Sequence, residues 1–221
     1  MLLRTLKSGA IAFVSLCLGA AVHASPVSWS NSSGTSANFS WSNGANDTGA
    51  ANDPVISGNT FAFFPSLKAF TINGADGSAM EVIRVELIPA AGKRISSISA
   101  DIFGDATAQN GAAGYSATLD AMNHGTSSHV SNTLTPPDIT TQGTIADHLD
   151  LAVPNGYGKV DVSFALNLHA TGTNAFNELK ILHLNVDTAP INAVPLPAAI
   201  VMAPAGALVA GIAKRRMWKR V

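Results

Sequence analysis

From Val160 to His169 the chain alternates between apolar and polar residues. Val160, Val162, Phe164, Leu166 and Leu168 fall on one side, and Asp161, Ser163, Asn167 and His169 on the other. A period of two belongs to a half-buried strand; a helix repeats its apolar positions every three or four residues. The same alternation recurs at Ile83/Val85/Leu87, Ile98/Ala100/Ile102, Tyr115/Ala117/Leu119, Leu149/Leu151/Val153 and Leu182/Leu184/Val186. Turn-forming residues separate these runs: Asn73-Gly74, Asp76-Gly77, Asn110-Gly111, Pro136-Pro137-Asp138 and Asn155-Gly156. No segment of the body sustains an amphipathic helix. The expected fold is all-β, a single antiparallel β-sandwich or jelly-roll-like body over residues 25–187.

Charge divides the chain differently. All of the 14 Asp and Glu lie between Asp47 and Asp187, where only six basic residues accompany them, so this body carries a balance of −8. The other seven basic residues stand at the two ends. An acidic body lacks the cationic face that phosphates require, which excludes a nucleic-acid partner. The one cysteine, Cys17, lies in an apolar N-terminal run, so neither a disulfide framework nor a Cys-ligated zinc site is available.

The ends read as addresses. Arg4 and Lys7 precede an uncharged apolar stretch, and Val22-His23-Ala24 offers small residues before a cut between Ala24 and Ser25. Residues 1–24 therefore read as a secretory signal peptide, removed by signal peptidase. At the other end, residues 188–193 read as a linker and residues 196–213 as an uncharged apolar run. As a helix that run reaches about 27 Å, enough to cross a hydrocarbon core. It is followed by Lys214, Arg215, Arg216, Lys219 and Arg220, a cluster that stays in the cytoplasm by the positive-inside rule and leaves the body outside.

Before that run stands Val194-Pro195-Leu196-Pro197-Ala198. Motif, apolar helix and basic tail, in this order over residues 194–221, resemble the PEP-CTERM sorting signal of Gram-negative bacteria in its VPLPA variant. The resemblance implies that a membrane-embedded exosortase recognises the tail and cleaves near the motif. The protein would then pass from an inner-membrane precursor with a periplasmic body to the cell surface or the exopolysaccharide matrix. Such tails are attached to unrelated bodies, so they leave the body's own work open.

Within the body, motifs of known chemistry are missing. There is no Gly-x-Ser-x-Gly, His-Glu-x-x-His or Walker pattern. Glu81 and Glu86, as a glycosidase pair, would face opposite sides of one strand, and Glu86 fits a solvated face beside Arg84. No catalytic residue and no metal ligand set is assigned. Four residues remain as candidate ligand contacts. Ser28-Trp29-Ser30-Asn31 recurs as Ser40-Trp41-Ser42-Asn43, so Trp29 and Trp41 form either a sugar-stacking pair or a cap on the core. His169 and His183 project away from the core, and one pairing register sets them opposite each other, with Asn167 opposite Asn185. The alternative is a solvated or loop-covered sheet face. His124 and His129 flank Gly125 and read as loop residues. Asn43, Asn46, Asp47, Asn52, Asp53 and Asp76 lie in oxygen-rich loops that suit calcium or ordinary Asx turns. No other cofactor is expected.

The expectation is an exported, non-enzymatic surface or matrix protein associated with exopolysaccharide. The alternatives are a carbohydrate- or calcium-binding module and, behind it, a polysaccharide hydrolase. Replacing Pro195 and Pro197 together by Ala should leave the body folded but block its release from the inner membrane. Proline keeps this segment out of the adjoining helix, where its peptide bonds would be hidden from a protease. Fractionation into membrane and medium checks this, and normal release of the double variant would discard the motif as the signal.

Overall fold

The computed structural model describes residues 25–191. The expected signal peptide, sorting motif, apolar helix and basic tail lie outside these residues. Within them every regular element is a strand: β1 (Val27–Ser28), β2 (Gly34–Thr35), β3 (Phe39–Asn46), β4 (Val55–Ser57), β5 (Thr60–Phe63), β6 (Lys68–Phe70), β7 (Gly77–Pro89), β8 (Lys93–Thr107), β9 (Gly111–Asn123), β10 (His129–Leu134), β11 (Gln142–Ala152), β12 (Val160–Gly172) and β13 (Phe176–Pro190). The six alternating runs read in the sequence are β7, β8, β9, β11, β12 and β13. The last strand runs further than expected: Thr188, Ala189 and Pro190 pair with Ile95, Arg94 and Lys93 after a register shift. Residues 188–190 of the expected linker therefore belong to the sheet.

Two antiparallel sheets share the strands. Sheet A has the order β1-β3-β7-β12-β9-β10, with β2 also on β3, and sheet B the order β11-β8-β13-β5-β4, with β6 on β13. Most long strands leave one sheet for the other: β7 and β8, β8 and β9, β11 and β12, and β12 and β13 are successive strands on opposite sheets. This is a jelly-roll-like sandwich. The turns carry the expected residues. Asn73 and Gly74 both adopt positive φ, 51° and 79°, the geometry of a tight two-residue hairpin turn.

Each long strand gives one face to a common core. Phe164, Leu119, Ile83 and Leu87 from sheet A meet Ile98, Ile102, Leu182 and Phe61 from sheet B, all buried. Polar bonds also tie the sheets. The Tyr115 hydroxyl of β9 donates to Asp147 of β11 at 2.5 Å, and the Asn177 amide of β13 to the Gly114 carbonyl of β9 at 2.6 Å. Burial, with the Asp147 carboxylate beside it, pushes the Tyr115 phenol well above its ordinary pKa, so it remains a donor.

Glu81 occupies an inward position of β7 and is 1% exposed. Its carboxylate accepts from the Thr48 backbone N–H at 2.9 Å, the Thr48 hydroxyl at 2.5 Å, and the N–H groups of Ala50 and Ala51 at 2.9 and 3.3 Å. These donors belong to the crossing between β3 of sheet A and β4 of sheet B. Glu86 lies on the other face of β7, as the alternation requires.

Phe164→Ala should destabilise the body by about 3–5 kcal/mol, the range for emptying a fully buried phenyl site. Ser163→Ala, one residue away on the outer face, should stay within about 0.5 kcal/mol. Chemical denaturation of both variants checks the faces; equal losses would reverse them.

Candidate functional site

The two tryptophans are spent inside the body. Trp29 is buried, packed against Phe63 at 5.4 Å and Phe61 at 6.1 Å between ring centroids. Trp41, partly buried, stands edge-on to Phe61 at 5.7 Å and donates its indole N–H to the Asn31 carbonyl at 3.1 Å. Each ring lies over a glycine: a Cβ on Gly34 would overlap Trp41, and a Cβ on Gly44 would overlap Trp29. Of the two expectations for this repeat, the structure takes the core cap.

His169 and His183 are separated by the whole sandwich. β12 belongs to sheet A and β13 to sheet B, so two side chains that both point away from the core point away from each other. The register that set His169 opposite His183 and Asn167 opposite Asn185 does not occur. The chain crosses between the sheets through Thr173–Ala175, helped by positive φ at Gly172 and Asn174, 80° and 55°. His169 contacts Asp138 at 3.0 Å across the outer face of sheet A, against the backbone of Gly114. His183 stands edge-on to Phe103 at 6.1 Å on the outer face of sheet B.

The outer face of sheet A carries a groove of about 610 Å³. Strand register lays its floor in rows. In one row Glu86 (β7), Asp161 (β12), Met122 (β9) and His129 (β10) stand side by side; in the next come Arg84, Ser163, Asp120 and Ser131. A bulge in β3 after Ser42 lifts Asn43, with φ 56°, toward the rim. The expectation that Glu86 is solvated beside Arg84 fails here. Glu86 points outward yet is only 7% exposed, because Lys159 at 2.5 Å, the Ser42 hydroxyl at 2.5 Å and the Asn43 amide at 3.4 Å close over it. Burial alone would raise its pKa, but the bonds from Lys159 and Ser42, with the charges of Lys159 and His124, outweigh burial and hold the carboxyl below its ordinary value. Arg84 is paired with Asp47. Asp120 and His129 make no side-chain hydrogen bond among the described residues, so both are available in the groove.

Beside the groove, His124 Nδ1 meets Asp161 at 2.9 Å, and ligand atoms of Glu86, His124 and Asp161 lie within 4.8 Å of one another. Among the described residues these three could approach a cation together. The Lys159 ammonium already neutralises that corner from within. His129, expected in a loop, opens strand β10 and so enters the groove, whereas His124 does lie in the turn. Several side chains of the oxygen-rich stretches bond to other segments of the chain. Asp53 accepts from the Ser30 N–H and hydroxyl, Asn52 donates to the Phe64 carbonyl, and Asp76 accepts from the Gly172 N–H.

On the outer face of sheet B a polar ladder crosses the strands. His148 (β11), Asp101 (β8) and His183 (β13) share one row. Asp101 is contacted by His148 Nδ1 at 2.6 Å and accepts from the Asn185 amide at 2.9 Å; Thr60 donates to Asn185 at 2.7 Å. His148 also meets Asp150 at 2.9 Å. The sequence pointed to His183 and Asn185 but missed His148 and Asp101. Their signal was present, since Leu149/Leu151 and Ala100/Ile102 turn both outward; what the sequence did not supply was that β11 and β8 are neighbours.

No family model matches the sequence, and no curated protein matches it. Among solved structures the chain is similar to TmCBM61 in complex with β-1,4-galactotriose. The TM-score is 0.30 at 10% identity, over 72% of this chain and 97% of that one. It is also similar to a CBM4 structure, with a TM-score of 0.24 at 13% identity over 69% and 87% of the two chains. A third is the enzymatically active domain of bacteriophage CBA120 tailspike protein 4, at 0.25 and 14% over 74% of this chain and 21% of that one. At such scores the likeness reaches neither site nor ligand, and the sandwich stands on its own two sheets.

The His148 ladder has a pH signature. Its bond to Asp101, opposed by slight desolvation and reinforced by Asp150, raises the His148 pKa above its ordinary value. A raised folded-state value stabilises the body fully below about pH 6.5, the unfolded value, and the contribution disappears as pH rises through the folded one. His148→Gln should remove that part of the pH dependence, a small one for so exposed a pair. Melting temperatures measured across this window check it; an unchanged slope would mean the ladder does not hold in solution.

Proposed function

We propose that this chain is an exported surface or matrix protein whose body binds polysaccharide through the groove on the outer face of sheet A. Export and sorting rest on the sequence of the two ends: a signal peptide at residues 1–24 and the VPLPA-type tail at residues 194–221, handled by signal peptidase and an exosortase-type enzyme. Binding rests on the groove, and one observation carries it. Asp120 and His129, free of side-chain partners among the described residues, stand in an open groove among fixed donors and acceptors, with Met122 adjoining both as an apolar surface. A sugar offers the complement, hydroxyls that both donate and accept beside apolar C–H faces.

Binding without cleavage fits this chemistry better than hydrolysis. Glycoside hydrolysis needs one carboxyl kept protonated as the acid and a second one ionised. In the groove Glu86 and Asp161 approach within 4.8 Å, and Glu86, held ionised and capped by Lys159, Ser42 and Asn43, is neither an acid nor an open nucleophile. The proposed role is adhesive: the body holds the polymer and leaves it intact.

Asp120→Ala and His129→Ala together should weaken binding to purified exopolysaccharide of the producing bacterium at least tenfold while leaving the melting temperature nearly unchanged. Affinity electrophoresis and calorimetry measure this. Unchanged affinity would remove the groove from the proposal, and new reducing ends after long incubation would replace binding with hydrolysis.

A further inference from the structure

We infer that the outer face of sheet B is a second carbohydrate-binding surface, built around Phe103 and selective for uncharged pyranoses, so that one molecule bridges two polysaccharide strands. The surface stands on its own observations; the bridging rests also on the groove of sheet A.

Phe103 is the anomaly that leads there. The outward positions of β8 from Ser97 on are otherwise Ser97, Ser99, Asp101, Asp105 and Thr107, yet Phe103 among them is 38% exposed. Its row neighbours are Ala146 on β11, which offers only a methyl group, and Ile181 on β13, which widens the apolar patch. On the β13 side His183 stands edge-on at 68° and props it. An aromatic ring propped on one flank and open on the other presents an apolar platform of the size of a sugar's C–H face.

The next row supplies directional groups. His148, Asp101 and His183 cross three strands there, with Asn185 and Thr60 in the row beyond. Their mutual bonds fix Asp101 and Asn185 before any ligand arrives, which reduces the entropy lost on binding. Rows on one face of a strand repeat every two residues, about 6.6–6.8 Å, and neighbouring strands lie about 4.8 Å apart. A pyranose stacked on Phe103 thus has its hydroxyls within reach of Asp101 and His183.

Charge narrows the ligand. Asp101, Asp105, Asp150 and Asp187 all lie on this face, and Lys180 is tied to Asp105. Uronates and sulfated sugars would be repelled, whereas an uncharged sugar has hydroxyls to donate to these carboxylates. Because the two outer faces are opposite sides of one sandwich, two occupied sites hold two polymer strands apart with the body between them.

The test uses the full chain and uncharged hexasaccharides of glucose, galactose and mannose, with a uronate hexasaccharide for comparison. Calorimetry should give two sites for at least one uncharged oligomer, and the uronate should leave the Phe103 site empty. Phe103→Ala should remove one site, Phe103→Trp should restore it, and the Asp120→Ala/His129→Ala variant should remove the other. Both Ala variants should lose the ability to raise the viscosity of an uncharged polymer solution while still binding it. If Phe103→Ala keeps full stoichiometry, or changes only the oligomeric state of the protein, the second surface is overturned. Equal binding of the uronate oligomer would overturn its selectivity. Loss of all binding in Phe103→Ala, with the groove variant unaffected, would support this surface and reject the groove.

Discussion

A buried carboxylate without a cation holds the two sheets in their relation. Glu81 has no ion-pair partner among the described residues, and four donors from residues 48–51 surround it instead. Removing a carboxylate from water costs several kcal/mol unless hydrogen bonds replace the lost solvation. Here the replacement comes from the backbone of the segment that leaves sheet A for sheet B. The crossing and the charge therefore stabilise each other: an extended loop would strand the carboxylate, and a missing carboxylate would strand three N–H groups. Downstream of this clasp come Phe61 and Phe63, which meet Trp29 and close that end of the core.

How far the sequence could be read follows from what an alternating pattern encodes. Periodicity assigns a face to each residue, and the faces of Phe164, His169, His183, Glu81 and Glu86 are as the pattern requires. It does not assign a neighbour. Leu168 and Leu182 can face one core either as adjacent strands of one sheet or as strands on opposite sheets, and both arrangements satisfy the same hydrophobic constraint. The chain takes the second, and the histidine pair dissolves. Nor does a period of two report what covers an outward position. Glu86 is shielded by Lys159, in the bend before β12, and by Ser42 of β3, both remote in sequence, so its burial had no local signal.

The two outer faces differ in how their polar groups are used. On sheet A the floor mixes bonded groups with free ones: Arg84 and Glu86 are committed, whereas Asp120 and His129 are not. On sheet B the bonded groups form a line from β11 to β5, and the exposed aromatic ring stands next to it. Both faces take their order from the register of neighbouring strands, which sets cross-strand side chains at fixed intervals that a loop could not hold as rigidly.

The Ser/Asn/Gly-rich start of the body looks like sequence that could drift freely, having no Lys, Arg or Glu to conserve a charge. The two indole rings forbid that. Gly44 makes room for Trp29 and Gly34 for Trp41, so each ring and its glycine form a lock with one key. A side chain at Gly44 can enter only if the ring at 29 shrinks first, and the reverse path leaves a void beside Phe63. Each tryptophan and its glycine therefore constrain one another as a pair, so that a change at either position is tolerated only with a matching change at the other.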